Sequence, residues 1–365
     1  MTLDDLPTPC LVLDRAILRR NIAATSAALA RHDVPLRPHM KTAKSIDVAR
    51  LALAGQPGGI TVSTLAEAEY FSAHGINDIL YAVGITPQKL DEVARLNADG
   101  ADIAVITDDP AVASAIASHA RPPRALIEID TGEERGGLAP DDAKLTEIAA
   151  RLGPRLAGVM THAGHSYSGR TQADMARIAE AERAGVVRAA ERLRAAGYTL
   201  PIVSMGSSPT ALYAGSLDGV SEVRAGVYMF GDLFQAEIGT HGVEDIAVTV
   251  LASVIGHRPG RLLVDAGGLA LSKDRSTESA PKDYGFGLVL DMQGRRSYGE
   301  AIVRRAYQEH GVVEIDPARP IDLPVGAKVR IAPNHICMTA AAHDRYHVVD
   351  GDITVEAVWH RVNGW

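Results

Sequence analysis

Between residue 36 and about residue 230, one pattern repeats eight times: a short apolar run, a segment of helical character, then a glycine or proline turn. The runs are Leu36–Lys41, Gly59–Leu65, Asp78–Val83, Asp102–Thr107, Arg124–Asp130, Leu156–His162, Pro201–Gly206 and Ser221–Phe230. Short runs that are apolar throughout suit strands buried on both faces, and strands alternating with helices build parallel βαβ units. SIDVARLALAG has a candidate cap at Ser45 and closes on Gly55; TPQKLDEVARLNADG has one at Thr86 and ends at Gly100; the stretch 171–197 stops at Gly197. Eight such units predict a closed (β/α)8 TIM barrel. A doubly wound open sheet is the competing arrangement. No G-x-G-x-x-G follows the first run and no G-x4-G-K-[ST] occurs, which weakens a nucleotide-binding sheet.

After about residue 240 the texture becomes β-rich, as in DIAVTVLASVIGH and RLLVDAGG, and YHVVDGDITVEAVWHRV reads as a hairpin turning at Asp350-Gly351. TPCLVLD reads as a strand before the barrel, with Asp14 capping a helix that runs to about residue 31. We expect a barrel over residues 15–235 and a β domain built from 1–14 and 236–365, the N-terminal strand pairing into it. A length of 365 residues accommodates two domains.

Composition excludes more than it assigns. A formal charge of −8 with no basic stripe argues against nucleic acid. Two cysteines, Cys10 and Cys337, make no disulfide framework and suit a reducing cytoplasm. The N-terminus lacks the apolar region of a signal peptide, and no run approaches the ~20 apolar residues that span a bilayer.

In a barrel of this kind, active sites form where the strands end at their C-termini. The first run ends in His39, Lys41 and Thr42; the fifth leads to Arg135; the sixth ends in His162-Ala-Gly-His165-Ser-Tyr167; the seventh ends in MGSSPT; the eighth carries Arg224, Gly226 and Tyr228. In MGSSPT, Gly206 permits close backbone approach, Ser207, Ser208 and Thr210 offer hydroxyls, and a helix follows, so the loop reads either as a phosphate cradle or as a plain Ser-capped helix. Its place after the seventh run favours phosphate, with Gly226 and Tyr228 in the same pocket. A phosphate pocket and a strand-end lysine together fit pyridoxal 5'-phosphate held by a Schiff base. Lys41 is the better candidate, because it comes first after the run; Lys44 tilts toward the following helix.

PNHICMT supplies a second cluster. In an extended segment, His335 and Cys337 would point to one side, and imidazole with thiolate suits Zn2+. A lone H-x-C also fits a buried cysteine acting as a small apolar residue. His343 and His347 have H-x3-H spacing, which needs a helix the segment does not promise.

TPCLVLD, RPHMKTAK, GITVSTLAEAEYF, HAGHSY, MGSSPT, RAGVYMFGD, VDAGG, EHGVV and PNHICMT, in that order, resemble the fold-type III pyridoxal-phosphate enzymes of the D-serine dehydratase group, with D-threonine aldolases and 3-hydroxy-D-aspartate enzymes as relatives. The resemblance covers nearly the whole chain and implies an alanine racemase-like fold and a homodimer. It implies Lys41 as the Schiff-base lysine, Arg135 near the cofactor's phenolic oxygen, and His165 and Tyr167 as pocket residues with catalytic roles. Gly206, Ser207, Ser208, Gly226 and Tyr228 would hold the phosphate, and His335 and Cys337 the zinc. One departure is Ala43, where the family often has histidine. Aldolases of the group tend to show H-x-D, suited to Mn2+ or Mg2+, so H-x-C implies the dehydratase branch: a D-β-hydroxy amino acid such as D-serine or D-threonine converted to a 2-oxo acid and ammonia. An aldolase is the alternative; a racemase or a carrier of the cofactor without turnover are further ones.

Overall fold

The computed structural model describes residues 1–318 and 320–365. The first strand, β1 (Cys10–Asp14), precedes a helix over Arg15–Ala30, whose N-terminal amides on Ala16 and Ile17 donate to Asp14 Oδ1 at 3.0 and 3.2 Å. Eight strands follow, each separated from the next by helix: β2 (Leu36–Pro38), β3 (Ile60–Val62), β4 (Asp78–Gly84), β5 (Asp102–Thr107), β6 (Arg124–Ile129), β7 (Leu156–Thr161), β8 (Ile202–Met205) and β9 (Glu222–Ala225). All neighbours pair parallel in the order β2-β9-β8-β7-β6-β5-β4-β3. A bridge between His39 and Thr61, with Met40 N–H donating to Thr61 O at 2.8 Å, nearly closes the ring. The barrel expected from the eight runs is therefore present, and the open sheet is not.

Its interior follows from the composition of the strands. Leu80, Ala104, Ile106, Leu126, Ala157 and Met160 form one buried cluster. Beneath it, charged residues at or near the strand starts pair off: Arg37 with Glu222 (2.8 Å) and Asp78 (3.0 Å), and Arg124 with Asp102 (2.6 Å). The strands' other ends are left for chemistry.

The remaining strands are β10 (Val248–Arg258), β11 (Arg261–Val264), β12 (Leu288–Leu290), β13 (Ile302–Ala306), β14 (Gly311–Glu314), β15 (Lys328–Ala332), β16 (Arg345–Val349) and β17 (Ala357–His360). Six of them form an antiparallel ring, β10-β11-β14-β13-β12-β15 and back to β10. The N-terminal β1 joins this sheet, antiparallel to β10 and parallel to β16. Leu3, Leu6, Cys10, Val12, Leu251 and Val349 pack together there. The hairpin at Asp350-Gly351 is corrected: β16 and β17 do pair antiparallel, but residues 350–356 connect them, a loop rather than a tight turn.

Two compact units result. The β unit comprises residues 1–23 and 227–361, and the barrel unit comprises 24–226 and 362–365. The sequence reading put the boundaries at 14/15 and 235/236. No helix among the described residues is long and apolar enough to cross a membrane.

Candidate active site

β2 ends at Pro38, so Lys41 sits in the turn that follows rather than in the strand. Lys44 has a positive φ of 49°, and its Nζ lies 2.7 Å from Glu67 Oε1. Glu67 is wholly buried and also accepts from Ser63 N–H (3.2 Å) and Thr64 Oγ1 (3.3 Å). Lys44 is thus tied into the fold, whereas Lys41 is exposed on the rim. Two imidazoles stand close enough to feel the Lys41 charge. Burial, then Lys41, holds His39 well below the usual histidine range. The same two causes push His162 down to about 3. His162 Nδ1 lies 2.8 Å from Gly206 O. A carbonyl only accepts, so Nδ1 carries the proton and Nε2 is bare. Arg135 and Arg224 add positive charge at His162, and both are faced in turn by Glu128.

The MGSSPT loop caps its own helix, Ser208–Tyr213. Ser207 N–H donates to Thr210 Oγ1 (3.0 Å), Thr210 N–H returns to Ser207 Oγ (3.3 Å), and Ser207 Oγ meets Ser166 Oγ at 2.8 Å. The amide of Gly206 donates to Glu182 Oε1 at 2.9 Å, and the same oxygen accepts from Ala163 N–H at 3.0 Å. Glu182 comes from the helix Gln172–Ala195; burial pushes its carboxyl up to about 7. Gly206 has φ +134°, and a Cβ there would lie 2.3 Å from Arg224 O, so only glycine fits. A Cβ on Gly226 would meet His39 O at 3.1 Å and Thr42 Oγ1 at 3.3 Å, which brings the end of β9 against the Lys41 turn. Lys41, Gly206, Ser207, Ser208 and Gly226 therefore share one end of the barrel. Tyr228 lies in the β unit, where its carbonyl accepts from His241 Nε2 at 2.8 Å.

The loop after β6 is folded by Asp130, whose Oδ1 accepts from the amides of Gly132, Glu133 and Glu134 at 2.9, 3.0 and 3.2 Å. Arg135 pairs with Glu133 at 3.2 Å. Burial raises the Glu128 carboxyl, with Arg135 opposing. His165 and Tyr167 occupy the 3-10 turn Gly164–Ser168. His165 Nδ1 is buried and makes no hydrogen bond among the described residues, and its ring lies 3.5 Å from where a Gly132 Cβ would stand.

In the β unit the expectation of an extended H-x-C segment is corrected. His335 is the N-cap of the helix Ile336–Ala340, and Cys337 lies in its first turn. The two side chains still meet through a hydrogen bond. His335 Nδ1 also lies 2.8 Å from Asp274 Oδ2. Burial works to lower the His335 imidazole, while the bonds to Asp274 and Cys337 raise it, so that without a metal the ring holds a proton that a metal would displace. Buried Asp232 accepts from Ile336 N–H (3.1 Å) and Gln235 N–H (2.8 Å), fixing the helix start. Among the described residues, no group of three or more His, Cys, Asp or Glu is placed to hold a metal, so the pair offers two protein ligands. Cys10 differs: buried, its thiol is pushed up to about 11 and packs as an apolar side chain.

Residues 13–233 match the family described as alanine racemase, N-terminal domain, and residues 247–349 match the putative serine dehydratase domain. The chain belongs to the alanine racemase-like family. Within it, the chain is 46% identical over its full length to D-threo-3-hydroxyaspartate dehydratase of Delftia sp., covering 99% of that protein. It is 31% identical to D-serine dehydratase of Dictyostelium discoideum, over 96% of this chain and 95% of that protein. The 3-hydroxy-D-aspartate aldolase of Paracoccus denitrificans is 30% identical over 97% of this chain and 91% of its own. A metal-free cysteine-to-alanine variant of a D-threo-3-hydroxyaspartate dehydratase superposes with a TM-score of 0.96 at 45% identity, covering 100% of both chains. A histidine-to-alanine variant of that enzyme gives 0.96 at 45% identity, over 100% of this chain and 97% of its own. The two altered residues stand two apart in that family member, the spacing of His335 and Cys337 here.

Three of the described groups carry no signal that the sequence reading used: Glu67, Glu182 and Asp274. Thr64-x-x-Glu67 is a capping pattern, with Thr64 accepting from Glu67 N–H, so Glu67 was within reach of the sequence. Glu182 is one acid among several on its helix, and Asp274 lies in a segment without periodicity.

Proposed function

We propose that the chain is a pyridoxal-phosphate- and zinc-dependent lyase that dehydrates D-β-hydroxy-α-amino acids, with D-threo-3-hydroxyaspartate the first substrate to try and D-serine and D-threonine the next. The observation that carries this reading is the meeting of His335 and Cys337, an imidazole and a thiol suited to zinc, in a family whose barrel also presents Lys41. The spacing shared with the altered histidine and cysteine of the D-threo-3-hydroxyaspartate dehydratase variants supports it.

The residues present fit both groups. Lys41 stands on the rim beside two neutral imidazoles, Gly206 leaves no room for a side chain and Gly226 little, as a close-fitting cradle requires. Lys41 would hold the cofactor, with Arg135, Tyr167, Gly206, Ser207, Ser208, Gly226 and Tyr228 around it. Since the amides of Gly206 and Ser207 are already engaged, the loop's part is to present a fixed shape. His335 and Cys337 would hold the metal. When bound, the cofactor supplies an electron sink for the pair left at Cα, and zinc a Lewis acid for the departing hydroxyl.

Lys41, as the free amine, takes the Cα proton. The Cβ–O bond breaks, water leaves, and the released unsaturated amine takes water back to give a 2-oxo acid and ammonia. His165 and Tyr167, in the 3-10 turn after β7, would be pocket residues with catalytic roles. Neither Cys10 nor Cys337 is in a disulfide, which suits a reducing cytoplasm, and we include a homodimer in the reading.

The test is product identity. With D-threonine and zinc, 2-oxobutanoate and ammonia are expected. Glycine and acetaldehyde would instead make the chain an aldolase, the activity of its Paracoccus relative.

A further inference from the structure

We propose that Asp274 is the positioning residue of the metal site: it fixes His335 in the tautomer that leaves Nε2 free to ligate. This rests on the reading of His335 and Cys337 as metal ligands. Asp274 Oδ2 lies 2.8 Å from His335 Nδ1. An ionised carboxylate only accepts, so Nδ1 carries the proton and Nε2 is the ligating nitrogen.

The carboxylate is itself held from several sides. Asp274 N–H donates to Ser272 Oγ at 3.0 Å, and Asp274 Oδ1 accepts from Ser276 N–H at 2.8 Å and from Ser276 Oγ. The segment that carries it is stitched along the helix that carries the ligands. Thr339 Oγ1 donates to Leu271 O at 2.9 Å, and His343 Nε2 meets Ala270 O at 3.1 Å. Thr277 N–H donates to the side-chain oxygen of Asn334, the residue before His335, at 2.9 Å. The two oxygens of Asp274 thus have separate duties: Oδ1 anchors the turn and Oδ2 orients the imidazole. A carboxylate kept only to close the turn would need Oδ1 alone.

That division makes Asp274→Asn informative. If the amide oxygen stays on Ser276, the NH2 group faces His335 Nδ1 and demands the opposite tautomer, with Nε2 protonated. If the amide flips, the Ser276 anchors are lost. The experiment measures zinc and Co2+ dissociation constants of the full-length protein by competition with a chelator, together with the thiolate-to-cobalt absorption in the near ultraviolet. For Asp274→Asn, binding 10–100-fold weaker and a diminished cobalt band are expected, with the thermal melt of the metal-free protein near that of the parent. Ser276→Ala, which loosens the turn but keeps the carboxylate on His335, is expected to bind within threefold of the parent. Equal affinity and an unchanged cobalt band in Asp274→Asn would overturn the inference, as would a loss in Ser276→Ala as large as in Asp274→Asn. If Cys337→Ala binds both metals as the parent does, the metal reading fails, and the inference with it.

Discussion

Lys41 and Lys44 show how three residues of separation can divide structure from chemistry. Lys44 is committed to Glu67, a carboxylate with no solvent exposure, and removing either partner leaves the other charge buried without its counter-ion. Lys44→Ala should therefore destabilise the fold by about 3–5 kcal/mol, read as a lower midpoint in urea, while the protein reconstituted with pyridoxal phosphate keeps its visible absorbance. Lys41→Ala should do the reverse: the visible band disappears and the melting temperature of the cofactor-free protein moves little. A retained band in Lys41→Ala would take the cofactor away from that residue. Choosing Lys41 from sequence alone needed only the end of an apolar run. Seeing why Lys44 is unsuitable needed Glu67, which lies 23 residues away and is brought in by the next βα unit.

Loops and helices at the barrel rim are held together by Glu182, which takes the amides of Ala163 and Gly206 on one oxygen. Its carboxyl, at about 7 in the fold against 4.5 when unfolded, favours the protonated form. The stabilising contribution is then full below about pH 4.5 and is lost as pH rises through about 7. Glu182→Gln retains the accepting oxygen and does not titrate, so its stability should fall less than the parent's over that window in urea titrations run across pH; parallel curves would contradict the assignment. Gly206→Ala should cost about 1–3 kcal/mol or more, because a Cβ would run into the backbone of β9 and the positive φ disfavours any side chain. A melting temperature unchanged in Gly206→Ala would show that the loop can relax. The MGSSPT motif was legible as a cap and a close approach; that its Gly206 amide already serves Glu182 was not, since the partner lies 24 residues back along a helix rich in acids.

For the whole molecule, all eight apolar runs contain a strand, because most strand residues are buried and burial leaves a largely apolar signature. Their ends moved where the backbone turns into the site: Leu36–Lys41 shortened to Leu36–Pro38, and Ser221–Phe230 to Glu222–Ala225. The His335–Cys337 pair was legible as a motif but not as geometry, since a short helix rather than a strand carries it, and Asp274 reaches His335 across 61 residues. The proposed function rests on two groups, the rim lysine and the His–Cys pair, each needed to break a Cβ–O bond. The direct measurement is product formation from D-threo-3-hydroxyaspartate by the protein reconstituted with pyridoxal phosphate, before chelation, after it, and after zinc is returned. Equal amounts of a 2-oxo acid and ammonia, lost with the metal and restored by it, are predicted. Glycine and glyoxylate as products, or turnover indifferent to the chelator, would contradict it.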